Sequence, residues 1–221
     1  MILITGASSG LGAALAKLYN ADGETLLLSG RNQQRLSDVV GKMSGDVQSH
    51  PADLGDPADV AALLDGLEQV PDTVIHCAGS GYFGSIEEQD PQAINDLIQN
   101  NVISTIYLLR ELVARYRTHK VNVVIVMSTA AQVAKAGEST YCAAKWAVKG
   151  LVESVRLELK GSPMKLIAVY PGGMATDFWT TSGKEMDTSS FMTADEAAMM
   201  LKQALIATEH GFVSDITINR N

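Results

Sequence analysis

The sequence predicts an α/β fold: a doubly wound parallel sheet of about seven strands, flanked by helices on both faces. Three observations lead there. Short apolar runs alternate with stretches of helical period along the whole 221 residues, as strands and helices alternate around a parallel sheet. Runs such as Leu26-Leu27-Leu28 and Val123-Val124-Ile125-Val126 are continuously apolar, the pattern of strands covered on both faces. The first run opens into a glycine-rich turn that leads straight into a helix, and such a turn presents backbone N–H groups to an anion.

Met1–Ile4 is the first strand. It ends at Thr5-Gly6-Ala7-Ser8-Ser9-Gly10-Leu11-Gly12, after which Leu11, Leu15 and Leu18 share one side of a helix. Gly6 permits the tight turn, Gly10 lets amides approach a pyrophosphate, and Gly12 lets the helix pack close to the sheet. The spacing differs from the G-x-G-x-x-G fingerprint. A plain surface turn is the alternative; glycines interleaved with hydroxyls between a buried strand and a helix weigh against it.

Glu24–Ser29 is the second strand, and Asn32–Met43 the helix after it. Folds that bind NAD present an acidic side chain to the ribose 2′-hydroxyl at this strand's end. Here Gly30 stands in that slot and Arg31 follows. No carboxylate repels a 2′-phosphate, and a guanidinium can pair with one bidentately. The alternative is that Arg31 merely begins the helix; the pattern favours NADP(H) over NAD(H).

Asp46–His50 reads as a third strand, then Asp53-Leu54 and a helix after Pro57. Asp53 either reaches an adenine amine or serves turn chemistry. Thr73–His76 is a fourth strand running into Cys77-Ala78-Gly79-Ser80-Gly81, small residues against which a ligand can lie. His76 and Cys77 are strand neighbours pointing to opposite faces, which argues for a structural pair over thiol catalysis.

Asp90 and Pro91 start a helix as cap and first-turn proline, read as one long helix to about Arg117. Asn101 lies midway, an amide without propensity benefit and so a candidate for binding water or backbone carbonyls. Val121–Met127 reads as a central strand ending at Ser128-Thr129, where ligand crevices form. The helix Thr140–Leu159 follows, with Val148, Leu151, Val152, Val155 and Leu159 at helical period. Tyr141 and Lys145, four apart, share a face. An ammonium ~5 Å from the phenol, at an effective dielectric of ~20, favours phenolate by roughly 3 kcal/mol, or about two pKa units. Tyr141 is therefore expected to titrate well below its usual range and to exchange a proton with a substrate oxygen.

Leu166–Tyr170 is another strand, ending at Pro171-Gly172-Gly173-Met174-Ala175-Thr176. Beyond it Phe178, Trp179 and Met186 sit among Ser, Thr and Gly, a flap over a pocket or a poorly ordered loop. Thr193 and Glu196 form a capping box for a last long helix ending near His210-Gly211, and Phe212–Ile218 closes the sheet. The chain reads as one domain over 1–221 with the flap at about 177–192.

A formal charge of −8 argues against nucleic-acid or anionic-membrane surfaces. The opening residues carry neither a basic leader nor a long apolar run. Cys77 and Cys142 define no disulfide framework or metal spacing, and the four histidines are scattered. The expectation is a cytoplasmic protein without metal.

Taken together, Thr5-Gly6-x-x-x-Gly10-x-Gly12, Asp53, Ala78-Gly79, Asn101, Ser128, Tyr141-x-x-x-Lys145 and Pro171-Gly172 through Thr176 resemble the short-chain dehydrogenase/reductase family in its compact, Rossmann-type branch. The resemblance implies an oxidoreductase that interconverts a carbonyl and an alcohol with NADP(H). Tyr141 would be the general acid/base, Lys145 would lower its pKa and bind the nicotinamide ribose, Ser128 would bond the substrate oxygen, and Asn101 would hold a water in a proton path. The turn from Gly6 through Ser8, Ser9, Gly10 and Leu11 to Gly12 would take the pyrophosphate. Asp53 and Leu54 would take the adenine, Ala78 and Gly79 would lie against the cofactor, and Pro171, Gly172, Met174 and Thr176 would hold the nicotinamide end. The family commonly carries Asn-Asn before Ala78-Gly79, whereas this chain has His76-Cys77, so side-chain bonding within the sheet must differ. The helices Asp90–Arg117 and Thr140–Leu159 would pair across a two-fold axis into a homodimer or homotetramer. A non-catalytic NADP(H)-binding redox sensor is the rival reading, and a hydrolase using Ser128 or Cys77 a third.

Overall fold

The computed structural model describes residues 1–183, 186–207 and 210–220. A seven-stranded, wholly parallel sheet is wound in two directions from its middle. Strands β1 (Ile2–Thr5), β2 (Leu26–Gly30) and β3 (Val47–Pro51) step outward one way; β4 (Thr73–His76), β5 (Asn122–Val126), β6 (Lys165–Pro171) and β9 (Asp215–Ile218) step outward the other. The order reverses between β1 and β4, which pair in register from Ile2↔Thr73 to Thr5↔His76. A second ladder of two residues joins β7 (Met174–Ala175) to β8 (Met192–Thr193).

Alternation along the strands divides the core. Leu3, Leu27, Val74 and Val123 point to one face, under α3 (Pro57–Asp65), α5 (Ser104–Tyr116) and α6 (Ser139–Glu158). Ile2, Ile4, Leu28, Ile75 and Val124 point to the other, under α1 (Gly10–Ala21), α2 (Gln33–Val40) and α7 (Ala194–Ala204). Local chemistry fixes the helix starts. Asn32 accepts from the Arg35 amide at 2.9 Å, Asp56 from Ala58 at 2.8 Å ahead of Pro57, and Asp90 from Ala93 at 2.9 Å ahead of Pro91. Thr193 and Glu196 bond reciprocally, as the capping box requires.

Four elements differ most from the sequence reading. The expected single helix over Asp90–Arg117 is α4 (Pro91–Ile98), a π turn over Gln99–Ile103, and α5. Ser104 and Thr105 donate their hydroxyls to the carbonyls of Asn100 and Asn101, four residues back, at 2.8 and 2.7 Å. Those carbonyls would otherwise serve the regular amide ladder, and the Ser104 amide reaches Gln99 instead. The helix expected over Asn32–Met43 ends at Val40, where Gly41 and the residues after it close turns. The last helix ends at Ala204 rather than near His210, because Ile206 has run past the sheet and is 74% exposed; Thr208 and Glu209 lie outside the described residues. The expected closing strand Phe212–Ile218 begins only at Asp215, opposite Ala168.

No described helix is long and apolar enough to cross a membrane.

Candidate active site

Where the strand order reverses, the carboxyl ends of the sheet leave one cleft of about 1060 Å³, as open parallel sheets do at such a point. The residues singled out in sequence converge on it from seven segments: the Gly6–Gly12 turn, Arg31, Asp53-Leu54, Ala78-Gly79, Ser128, the first turn and a half of α6, and Pro171–Thr176.

The glycines of the first turn are there for close approach. Gly6 has φ of +67°, and a Cβ on it would lie 2.6 Å from the Ala78 nitrogen. A Cβ on Gly12 would strike the Gly6 carbonyl, so the start of α1 sits directly on the turn. Gly10, at φ +52°, faces the Thr176 methyl. The turn is therefore bounded on one side by β4's end and on the other by Thr176, and a turn at a helix start presents backbone donors to an anion.

Gly30 is tight: a Cβ there would come 3.1 Å from Ser8 Oγ. Arg31 is exposed in the cleft and donates from Nη1 to Asn100 Oδ1 at 2.8 Å. Asp53 turns its carboxylate into its own loop, accepting from the Gly55 amide at 2.9 Å. Leu54 is both a cleft wall and part of the core.

At the other end, Ser128 stands two residues beyond β5 and caps the short turn Thr129–Ala131 by accepting from the Ala130 amide at 3.1 Å. Its hydroxyl is also near enough to the Tyr141 phenol to favour the phenolate. Tyr141 and Lys145 project from one face of α6 into the cleft, with Lys145 Nζ 5.5 Å from the phenol ring centroid. Both are only 6% exposed. That burial overturns the expected pKa order. Desolvation pushes the Tyr141 phenol up, with the Ser128 hydroxyl opposing, and pushes the Lys145 ammonium down to about 8. In this enclosed site the loss of hydration decides the direction for both groups.

Asn101 stands behind this cluster, 1% exposed. The π turn swings its amide back toward the sheet, where Nδ2 donates to the carbonyls of Ser80 and Leu97, both at 2.9 Å. Its Oδ1 has no hydrogen-bond partner among the described residues. A Cβ on Gly79 would meet that oxygen at 2.7 Å and Lys145 Nζ at 3.3 Å. The two groups thus border the same point above Gly79. A buried polar oxygen left in that state, beside glycines that leave the crevice floor bare, fits an active site that takes a dinucleotide.

Sequence reasoning missed several cleft residues. Arg35, one turn into α2, reaches across to Asp177 at 3.2 Å. Phe83, Phe178, Trp179 and Phe191 form a chain of ring contacts that begins at Tyr141, with centroids 5.3–6.0 Å apart. Arg220 lies over the Phe191 ring at 4.3 Å. Gly81 and Gly173 make room for this wall, since a Cβ on either would strike the rings of Phe178 and Phe191 at 2.5 and 2.8 Å. Of these rings, the sequence places only Phe178 and Trp179 at the flap; Phe83 and Phe191 carry no signal there. The expected flap is tied at its base by the β7–β8 ladder and further along by the Phe83 amide bonding the Ser182 carbonyl at 2.9 Å; Lys184 and Glu185 lie outside the described residues. Burial pushes the Cys77 thiol up to about 12, which removes it as a nucleophile at neutral pH. The described residues contain no cluster of metal-ligating side chains.

Residues 1–187 match the family model described as short chain dehydrogenase. Over 100% of both chains, the protein is 56% identical to a short-chain dehydrogenase/reductase from Vibrio parahaemolyticus whose crystal structure superposes with a TM-score of 0.93. A short-chain dehydrogenase from Sphingobium yanoikuyae in complex with NADPH is 28% identical, with TM-score 0.84, over 97% of this chain and 86% of that one. The sepiapterin reductase of Chlorobaculum tepidum is 28% identical over 99% of this chain and 95% of its own length. By contrast, the chain spans 64% of the length of the bovine dehydrogenase/reductase SDR family member 7B, to which it is 27% identical.

Proposed function

The chain belongs to the short-chain dehydrogenase family of oxidoreductases, and from that premise we propose that it reduces a carbonyl to an alcohol with NADPH. The observation that carries the reading is the cluster of Ser128, Tyr141 and Lys145 at one end of the same cleft whose other end is the glycine turn. The cofactor would supply the hydride. The protein's residues would bind it and manage the proton.

The Gly6–Gly12 turn, with Ser8, Ser9 and Leu11, takes the pyrophosphate; Asp53 and Leu54 border the adenine; Ala78 and Gly79 form the floor; Pro171, Gly172, Met174 and Thr176 hold the nicotinamide end. Arg31 takes the 2′-phosphate. Three features support NADP(H) over NAD(H): Gly30 brings no carboxylate and is crowded by Ser8 Oγ, Arg31 is held at the cleft wall by Asn100, and the Sphingobium relative is in complex with NADPH.

Ser128 and Tyr141 bind the carbonyl oxygen. As the carbon gains hydride the oxygen becomes an alkoxide, and Tyr141 gives it the phenolic proton. Because burial pushes the phenol up, Tyr141 is held protonated at neutral pH, the state that reduction needs. Lys145 stabilises the phenolate as it forms and, with Asn101, returns the proton from solvent. The wall of Phe83, Phe178, Trp179 and Phe191 supports a bulky, apolar carbonyl substrate, whose burial against the rings contributes about 25 cal/mol per Å². The segment at about 177–192 acts as the flap over that substrate within a single domain, and α4–α5 and α6 assemble the chain into a homodimer or homotetramer.

The test is NADPH oxidation against a panel of aryl and alkyl aldehydes and ketones, for wild type and Tyr141→Phe. Tyr141→Phe should bind NADPH normally and lose turnover by about 10²–10⁴-fold; full activity in that variant would refute the assignment.

A further inference from the structure

The residue before Cys77 departs from the family pattern, and the structure gives that departure a use. His76 is the last residue of β4, 1% exposed, and lies between two hydroxyls. Its Nδ1 is 2.8 Å from Thr5 Oγ1 on β1, and its Nε2 is 3.0 Å from Thr105 Oγ1 on α5. The Thr105 hydroxyl has one hydrogen, and that hydrogen goes to the Asn101 carbonyl at 2.7 Å. The Thr105 oxygen can then only accept from the ring, which puts the imidazole hydrogen on Nε2. Nδ1 is left to accept from Thr5. The run has one sense throughout: Thr5 to His76, His76 to Thr105, Thr105 to Asn101.

We propose that His76 is a positioning residue: as the Nε2–H tautomer it holds Thr105, and through Thr105 the Asn101 carbonyl, so that the π turn keeps Asn101 Oδ1 at the point above Gly79 that Lys145 Nζ also borders. This rests on the reductase reading, in which Asn101 and Lys145 return the proton to Tyr141. The run is anchored on the strands β1 and β4 at one end and on α5 and the π turn at the other, a tie to the sheet that a turn with an irregular amide ladder lacks on its own. The residue-level consequence is visible at Gly79, over which Asn101 Oδ1 and Lys145 Nζ converge. The charge acting on the ring is that of Lys145 on α6, with the Cys77 thiol beside it on β4; Thr5 and Thr105 are uncharged. Burial and the Lys145 charge push His76 down to about 3, so the tautomer and the run persist at every pH at which the enzyme would work.

The test uses Thr105→Val, which keeps shape and removes the link, His76→Leu, which removes the donor, and His76→Gln, whose amide can donate from the Nε2 position. The readouts are the ¹³C NMR titration of the Lys145 ε-methylene, which needs no substrate, and kcat and KM for NADPH. An Asn101 oxygen dipole moved away from the point above Gly79 that it shares with the ammonium leaves Lys145 easier to deprotonate. In Thr105→Val and His76→Leu its midpoint should fall by about one pH unit from the wild-type value, and kcat about tenfold, with KM for NADPH within twofold. His76→Gln should retain both wild-type values. An unchanged Lys145 midpoint and kcat in folded Thr105→Val overturns the proposal, and so does loss of NADPH binding along with turnover, because the role is then structural. If His76→Leu fails to fold, Thr105→Val decides. A fully active Tyr141→Phe would instead sink the reductase reading itself, whatever the Lys145 titration gives.

Discussion

Gly79→Ala separates the needs of the fold from those of the chemistry. The added Cβ would stand 2.7 Å from Asn101 Oδ1 and 3.3 Å from Lys145 Nζ. Gly79 is not among the positive-φ glycines, so alanine introduces no backbone strain there. By narrowing the unfolded ensemble it stabilises the fold by about 0.4–1 kcal/mol. Overpacking acts against this by about 1–3 kcal/mol. A net loss of about 1 kcal/mol lowers the Tm by about 2–4 °C in a chain of this length. Turnover should suffer far more. Ordinary contact begins at 3.4 Å, so the Asn101 amide must withdraw by about 0.7 Å, and a misplacement of about 1 Å at a reacting centre costs about 10²-fold. The assay is steady-state NADPH oxidation beside a melting curve and a fluorescence titration with NADPH. A variant with Tm within 5 °C of wild type and kcat down by about 30–100-fold is expected. Wild-type kcat in the folded variant would refute the argument that Asn101 and Lys145 must share the space above Gly79.

Arg31→Asp should weaken NADPH binding by about 10–100-fold, the range of a lost charged hydrogen bond, while NADH binding holds or improves; a wild type that already prefers NADH removes the basis of the prediction. His76 gives stability an acid limb. Its folded pKa, about 3, lies below the unfolded value near 6.5, so between those pH values the unfolded chain binds a proton that the native protein does not. Stability should therefore fall as pH drops from about 6.5, by at most about 1.4 kcal/mol per pH unit from this group, and His76→Gln should flatten that limb in melting curves taken from pH 7 to pH 4. Trp146 on α6 is 48% exposed, in keeping with a helix face that another copy covers; light scattering at micromolar concentration should give a dimer or tetramer, and a monomer there would count against the assembly.

What the sequence determined was what neighbours in the chain can determine. The β1 run, the glycine turn and the start of α1 are read from adjacent residues because turn, amide donors and close packing are local requirements. The caps at Asp90 and Thr193 follow from side chains three positions from the amides they bond. Tyr141 and Lys145 could be put on one face because helix geometry alone does that.

What only the tertiary structure decided depends on groups far apart in the chain. Whether Lys145 lowers the Tyr141 pKa turns on hydration, and burial by other segments reverses the order that spacing alone suggests. The ring wall joins Phe83 to Phe178, Trp179 and Phe191, about a hundred residues later, and depends on glycines at 81 and 173 that carry no pattern of their own. The π turn at Asn101 is decided by hydroxyl bonds that helical periodicity does not register. The link from Thr5 through His76 to Thr105 exists because β1, β4 and α5 meet there. Periodicity reports which way a residue faces; desolvation and hydrogen-bond direction depend on what stands opposite, and only the folded chain supplies that.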